Sequence, residues 1–92
     1  SIITFMRYSK EQKESLLIVC NFTPVLYENF KIGVPRAGRY KEIFNSDSEV
    51  FGGSGHCNPR QKRAKAVPWD GRDYSISIEV SPLGVSVFKY ME

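Results

Sequence analysis

Short runs of alternating apolar and polar residues recur along the chain, and they predict strands rather than helices. From Tyr74–Val80, Tyr, Ile, Ile and Val alternate with Ser, Ser and Glu, the period of a strand with one buried face. Residues 30–34 alternate in the same way. No segment keeps apolar residues at helical spacing over the length of an ordinary helix. We therefore predict an all-β chain.

Further strands are predicted between segments of turn-forming residues. They are Ile2–Tyr8, residues 16–22, residues 39–44, Glu49–Phe51, residues 64–67 and residues 85–90. Residues 9–15 read as a polar connector, and Asp70-Gly71 predicts a tight hairpin turn. About seven or eight short strands in a chain of 92 residues are typical of a sandwich or barrel. We predict an antiparallel, Greek-key-like β-sandwich that forms one domain over residues 1–92.

Two predicted strands are apolar on both faces. Residues 16–20 read Leu-Leu-Ile-Val-Cys, and residues 2–6 read Ile-Ile-Thr-Phe-Met. A two-layer sandwich covers one face of each strand, so the outer face is normally polar. Because each buried CH₂ contributes ~0.8 kcal/mol, leaving such a face wet is costly. We expect it to be covered, either by a partner outside the domain or by the loop of residues 52–65.

The positive charge of the chain is concentrated in one segment. The net charge is +3, and four of the 13 basic residues lie within residues 60–65. They are Arg60, Lys62, Arg63 and Lys65. The segment has no interleaved aromatic residues that would stack on bases, so a solvated loop is favoured over a nucleic-acid interface. We expect no nucleic-acid partner.

The hydrophobic content also bears on location. The longest apolar run, residues 16–20, is far too short to span a bilayer, so no membrane partner is expected. The chain opens Ser-Ile-Ile-Thr-Phe, without a basic region or an initiator Met, which indicates no signal peptide and a fragment of a longer protein. The two cysteines, Cys20 and Cys57, are too few for a disulfide scaffold. A reducing, cytoplasmic setting is the interpretation we adopt.

Few residues suggest chemistry. His56 and Cys57 are adjacent, without the paired spacing of a zinc site and without a group to orient the imidazole. The carboxylates considered as glycosidase pairs all fall in turns, connectors or polar strand faces, where solvation explains them. They are Asp47, Glu49, Asp70, Asp73 and Glu79. We expect no catalytic residue, no metal and no cofactor in this chain.

Trp69 has two interpretations. It stands in Pro-Trp-Asp-Gly, beside a predicted turn. A large ring at such a corner commonly fills the end of a sandwich core. An exposed ring could instead form a platform for a sugar, as in an independent carbohydrate-binding module.

Several collinear motifs resemble the C-terminal region of glycogen branching enzymes. They are ITFMRY at residues 3–8, VCNFTPV at 19–25, IGVPRAGRY at 32–40, NSDSEVFGGSG at 45–55, and PWDGR at 68–72 with YSI at 74–76 and Leu83. Each is weak alone, but their order along nearly the whole chain is specific. One departure is the basic stretch after residue 55, where the family often has a neutral Gly/Asn-rich loop.

The resemblance implies the C-terminal all-β domain of a 1,4-α-glucan branching enzyme of the α-amylase superfamily. In such glycosyltransferases the nucleophilic Asp, the acid/base Glu and a second Asp lie in a (β/α)₈ barrel, so none maps onto this chain. The expected partners are that barrel, in the same polypeptide, and an α-glucan such as glycogen. Trp69, as an aromatic ring that could form a sugar platform, is the candidate glucan contact. The candidate interface residues toward the barrel are Ile3, Phe5, Leu17 and Val19.

Overall fold

The computed structural model describes residues 2–9 and 14–92, and within them seven strands form two antiparallel sheets. The strands are β1 (Ile2–Tyr8), β2 (Ser15–Asn21), β3 (Tyr27–Val34), β4 (Arg39–Asn45), β5 (Lys62–Arg63), β6 (Tyr74–Val80) and β7 (Val85–Met91). The large sheet has the order β1-β2-β7-β4-β5, and β3 pairs with β6 in the small sheet. The prediction of an antiparallel β-sandwich is confirmed.

The core lies between the two sheets. The large sheet contributes Leu17, Val19, Tyr40 and Phe88, and the small sheet contributes Ile32, Val34, Ile76, Ile78 and Val80. Each of these side chains is almost fully buried. The alternation in β3 and β6 therefore buries one face of each strand, as its period predicted.

The predicted strand bounds hold for β1 and β6, and two predicted strands are wrong. Glu49–Phe51 is a 3₁₀ turn, because the Ser48 carbonyl accepts from the Phe51 N–H and curls the chain. Residues 64–67 do not form a strand; pairing with β4 occurs earlier, in β5, and Lys65 makes an isolated bridge to Ser75. Of the predicted connector at residues 9–15, residues 10–13 lie outside the described part of the chain.

Residues 52–65 run along the open side of the sandwich, from β4 to β6. Asn58 lies at the middle of this path: its Nδ2 donates to Glu42 Oε2 (2.9 Å) and to the Glu79 carbonyl (2.8 Å), and its Oδ1 accepts from the Glu79 N–H (2.8 Å). The buried Asn58 amide thus joins the two sheets at this edge. The expectation that this loop covers the apolar outer face is wrong, because its polar atoms bind the sandwich edge.

Candidate functional site

The strand registers set the outer-face side chains of the large sheet in rows, and three of these rows cross β1, β2 and β7. The first row is Ile3, Cys20 and Val85. The second row is Phe5, Ile18, Val87 and Phe44. The third row is Arg7, Leu16, Lys89 and Lys41. We call the first two the apolar rows and the third the basic row.

The apolar rows are open to solvent in the described structure. Ile3 is 50% exposed and Phe5 is 45% exposed. The 3₁₀ turn extends this surface, since the ring of Phe51 packs on Phe44 with the centroids 5.5 Å apart. Contiguous apolar surface of this kind is typical of an interface with another protein or domain.

The basic row borders the apolar rows at one end of the sheet. Lys89 Nζ lies 3.7 Å from Glu14 Oε1, an exposed ion pair that contributes little to stability. Among the described residues, Arg7 and Lys41 form no salt bridge. The surface therefore offers apolar contact over two rows and positive charge along the third.

The candidate interface residues separate onto two faces. Ile3 and Phe5 lie in the apolar rows, where an interface role stays a prediction. Leu17 and Val19 are each only 1% exposed and pack in the core, so they are not on the outer surface. The sequence-based choice missed Ile18 and Cys20, which occupy the outer face of the same strand. Both faces of β2 are apolar, so composition alone does not distinguish them.

Trp69 lies outside the core, on the far side of the sandwich from the apolar rows. Its side chain is 45% exposed, and Lys31 Nζ lies over the ring, 4.8 Å from the centroid. The interpretation of Trp69 as a core plug is therefore wrong. The half-exposed ring leaves the glucan-contact interpretation as a prediction.

His56 and Cys57 are held in an acidic corner. His56 Nδ1 lies 3.3 Å from Glu79 Oε2. Burial, and then the nearby carboxylates of Glu42 and Asp47, raise the pKa of the Cys57 thiol. A raised pKa disfavours the thiolate, which is the nucleophilic form of cysteine. The arrangement does not activate Cys57 as a nucleophile.

Two further features are absent from the described part of the chain, a metal-ligand cluster and a membrane-spanning helix. Among residues 2–9 and 14–92, no three His, Cys, Asp or Glu side chains are grouped so as to hold a metal ion. In the same segments, no helix combines the length and apolarity needed to cross a membrane.

Comparison with known proteins identifies the family of this chain. The model of the family described as "Alpha amylase, C-terminal all-beta domain" matches residues 1–91. The chain belongs to this family. Among its relatives, the 1,4-alpha-glucan branching enzyme GlgB of Halothermothrix orenii is 51% identical over 97% of this chain. The enzymes of the same name from Oceanobacillus iheyensis and Aquifex aeolicus are 48% and 43% identical, over 97% and 98% of this chain.

The chain spans 14% of the length of each of these three relatives. The alpha-amylase C-terminal all-beta domain seen here is therefore similar to a small part of much longer proteins. The remainder of those proteins has no counterpart in this sequence.

The motifs that identify this all-beta domain serve its scaffold. Asn21, buried in VCNFTPV, donates through Nδ2 to the carbonyls of Val25 (2.9 Å) and Ser81 (3.0 Å). Its Oδ1 accepts from the Thr23 N–H (2.9 Å) and hydroxyl (2.7 Å). One side chain thus holds the turn after β2 against the turn after β6. A buried amide with every group paired stabilises and specifies a fold.

Asp47 organises the NSDSEVFGGSG segment in a similar way. Its carboxylate accepts from the backbone N–H groups of Ser54 (3.1 Å) and His56 (2.9 Å), and its carbonyl accepts from Gly55 (2.7 Å). The backbone hydrogen bonds from His56 and then Ser54 lower the pKa of Asp47. The glycine-rich segment is therefore folded around Asp47.

Proposed function

We propose that this chain is the accessory C-terminal domain of a 1,4-α-glucan branching enzyme, a glycosyltransferase that moves α-1,4-glucan segments to form α-1,6 branches in glycogen. Residues 1–92 form one domain of the longer polypeptide. The catalytic (β/α)₈ barrel lies elsewhere in that polypeptide. This domain is non-catalytic; it stabilises the barrel and aids the positioning of α-glucan.

The uncovered apolar rows are the observation that carries this proposal. Phe5, Ile18 and Phe44 lie in one row, with Val87 between the last two, on a face that a two-layer sandwich leaves in water. Burial of apolar surface stabilises by ~25 cal/mol per Å², so docking of this face against another surface is favourable. The names and lengths of the relatives support a larger branching enzyme as the source of the covering surface.

The chemistry of the domain supports a non-catalytic role. Cys57 has a raised pKa, and His56 is engaged with Glu79. Asp47 and Glu42 each accept hydrogen bonds from the loop that they hold. These groups stabilise the sandwich, which agrees with catalysis by another domain.

The test is an Ile18→Asp substitution in the full-length protein that carries this chain. A carboxylate in the middle of the second apolar row would have to be desolvated when the face docks. We expect a lower temperature of unfolding, lower branching activity, and faster alkylation of Cys20 by iodoacetamide, followed by peptide mass spectrometry. Cys20 reports docking because it lies in the first apolar row.

The matched control is Leu83→Asp, which adds the same charge at an exposed turn position outside the three rows. We expect it to leave activity and Cys20 alkylation unchanged. If Cys20 in the native full-length protein reacts as fast as in the denatured protein, the face is not covered and the proposal fails.

A second candidate is an independent carbohydrate-binding module, favoured by the half-exposed ring of Trp69. Gel electrophoresis of the isolated domain through immobilised glycogen tests it. Retardation that Trp69→Ala removes, and that Phe51→Ala on the opposite side leaves intact, would support this function. Migration that glycogen does not slow eliminates it.

We also propose that the protein acts in the cytoplasm. The thiols of Cys20 and Cys57 are both free in the structure, which fits a reducing compartment. Mass spectrometry of the protein alkylated in denaturant during cell lysis checks this, since both thiols should then carry the label. An oxidised form of either residue in intact cells would contradict it.

A further inference from the structure

A groove of about 510 Å³ lies between residues 61–67 and the outer face of the small sheet. Four cationic residues and no carboxylate line it. The cations are Lys31, Lys62, Arg63 and Lys65. The rest of its surface comes from Gln61, Val67, Ser75, Ile76 and Ser77.

The four cations lack charge partners within the described residues. Lys31 contacts the Trp69 ring, and no salt bridge among residues 2–9 and 14–92 includes any of the four. Positive charges brought together in this way repel one another and raise the local potential. A dianion placed among them would relieve that repulsion and gain charge-assisted hydrogen bonds.

The groove walls are held by backbone pairing, so the cations are not on a free loop. β5 pairs with β4 through Arg63 opposite Arg39 and Lys62 opposite Tyr40. The Lys65 N–H donates to the Ser75 carbonyl (2.9 Å), and the Ser75 N–H donates to the Lys65 carbonyl (3.0 Å). A fixed backbone reduces the conformational entropy lost on binding an anion.

We infer that this groove binds a phosphate group carried by a small organic ligand or by a phosphate ester on an α-glucan. Lysine ammonium and arginine guanidinium groups are suited to phosphate oxygens. The exposed Val67 beside them gives the carbon part of such a ligand an apolar contact. The groove shares no residue with the apolar rows, and only its glucan-ester ligand rests on the proposed branching function.

Isothermal titration of the full-length protein with inorganic pyrophosphate tests the inference. We expect saturable binding that Lys65→Ala and Lys31→Ala each weaken about tenfold or more, the loss of one charged hydrogen bond. Lys65→Arg should retain most of the affinity, because it keeps the charge and the donors. Added NaCl should weaken binding, because salt screens the attraction between exposed charges; the Debye length is ~10 Å at 0.1 M salt and shortens as salt is added.

Arg60→Ala is the matched control, because Arg60 belongs to the same basic segment but lines a different pocket, with Glu28 and Glu79. It should leave pyrophosphate affinity unchanged. An equal loss in Arg60→Ala and Lys65→Ala would overturn the inference, since net charge rather than the groove would then govern binding. Failure of pyrophosphate to bind, or binding that survives Lys31→Ala/Lys65→Ala, would overturn it as well.

Three further ligands identify the source of the phosphate. Glucose 6-phosphate binding favours a small sugar phosphate, and tighter binding of a 6-phosphorylated maltodextrin favours an ester on a glucan. If neutral maltohexaose competes for the groove as well as either phosphorylated ligand does, the phosphate group is not what the groove recognises and the inference is overturned. If a single-stranded oligonucleotide binds more tightly per phosphate than pyrophosphate, the groove is a nucleic-acid site and the assignment is overturned.

Discussion

Gly33 of β3 lies directly under the backbone carbonyl of Trp69, so closely that a methyl group on Gly33 would overlap the carbonyl atoms. The Gly33 N–H faces Asp70 Oδ2 at 3.4 Å, and Asp70 and Gly71 take φ values of 52° and 74°. Positive φ at both central positions is the geometry of a type I′ turn. The IGVP and PWDG motifs are thus two halves of one contact, in which a tight turn crosses over a strand.

Replacement of Gly33 by alanine should lower the free energy of unfolding by about 2–3 kcal/mol, the upper end of the usual cost of overpacking. The reason is that the overlapping atoms belong to the Trp69 backbone, which cannot move aside as a side chain can. Urea unfolding of the domain followed by circular dichroism measures the loss. Gly52→Ala is the control, since nothing lies within 4 Å of its added methyl group and only its positive φ of 81° opposes the change, at ~1 kcal/mol. Equal losses in the two variants would contradict the close approach.

Replacement of Asn58 by alanine should be more damaging than most polar substitutions. Its side chain makes hydrogen bonds to Glu42 and to both backbone groups of Glu79. Losing them, one to a carboxylate, should cost about 2–4 kcal/mol in the free energy of unfolding. Hydrogen exchange should also show that the Glu79 amide loses protection. Asn29→Ala, at an exposed position, is the control and should change stability by less than ~0.5 kcal/mol. If the Glu79 amide keeps its protection in the Asn58 variant, the hydrogen bonds of Asn58 to Glu42 and Glu79 are dispensable.

The acid limb of stability should depend on Asp47. Its lowered pKa means that the ionised carboxylate stabilises the fold fully above the ordinary value of 3.8. That contribution is lost as pH falls below 3.8 toward the lower pKa of the folded state. Asp47→Asn should therefore lower stability at pH 7 and show a shallower decline in acid, measured as the free energy of unfolding from pH 7 to pH 2. Asp73→Asn should reproduce the native curve; an Asp47 variant that also does so would contradict the prediction.

The alkaline limb should depend on Tyr40. Burial raises the pKa of this phenol to about 12, and its hydroxyl donates a hydrogen bond to the Arg36 carbonyl. Because the unfolded phenol ionises near its ordinary value of 10, stability should fall between pH 10 and pH 12. Tyr40→Phe should lose about 1 kcal/mol at pH 7 with the hydrogen bond.

The difference between native protein and Tyr40→Phe should then shrink above pH 10, since phenylalanine does not ionise. Urea midpoints at pH 7, 9, 10 and 11 measure the trend. A constant gap between native protein and Tyr40→Phe across this range would contradict the role of Tyr40.

Local residue patterns were sufficient for much of the fold. The alternation in β6 predicted its bounds because one face of that strand is apolar and the other polar. The Asp70-Gly71 pair predicted its turn because positive φ is favoured at those residues. The family motifs were readable in the same way, and the structure shows that Asn21 and Gly33 have scaffold roles. The alternation and the turn depend on neighbours in the chain, whereas the contacts of Asn21 with Ser81 and of Gly33 with Trp69 join distant residues.

Long-range pairing was needed for the rest. Leu17 and Ile18 are equally apolar, and only the docking of the small sheet against Phe88 and its neighbours buries Leu17 and leaves Ile18 outside. The small sheet has two strands and cannot cover all five of the large sheet, which is why Thr4 of β1 remains exposed even on the inner side. The basic groove arises because residues distant in sequence, Lys31 and Lys65, meet across β6. Periodicity records which residues alternate, whereas the face that is buried depends on which sheet packs against it.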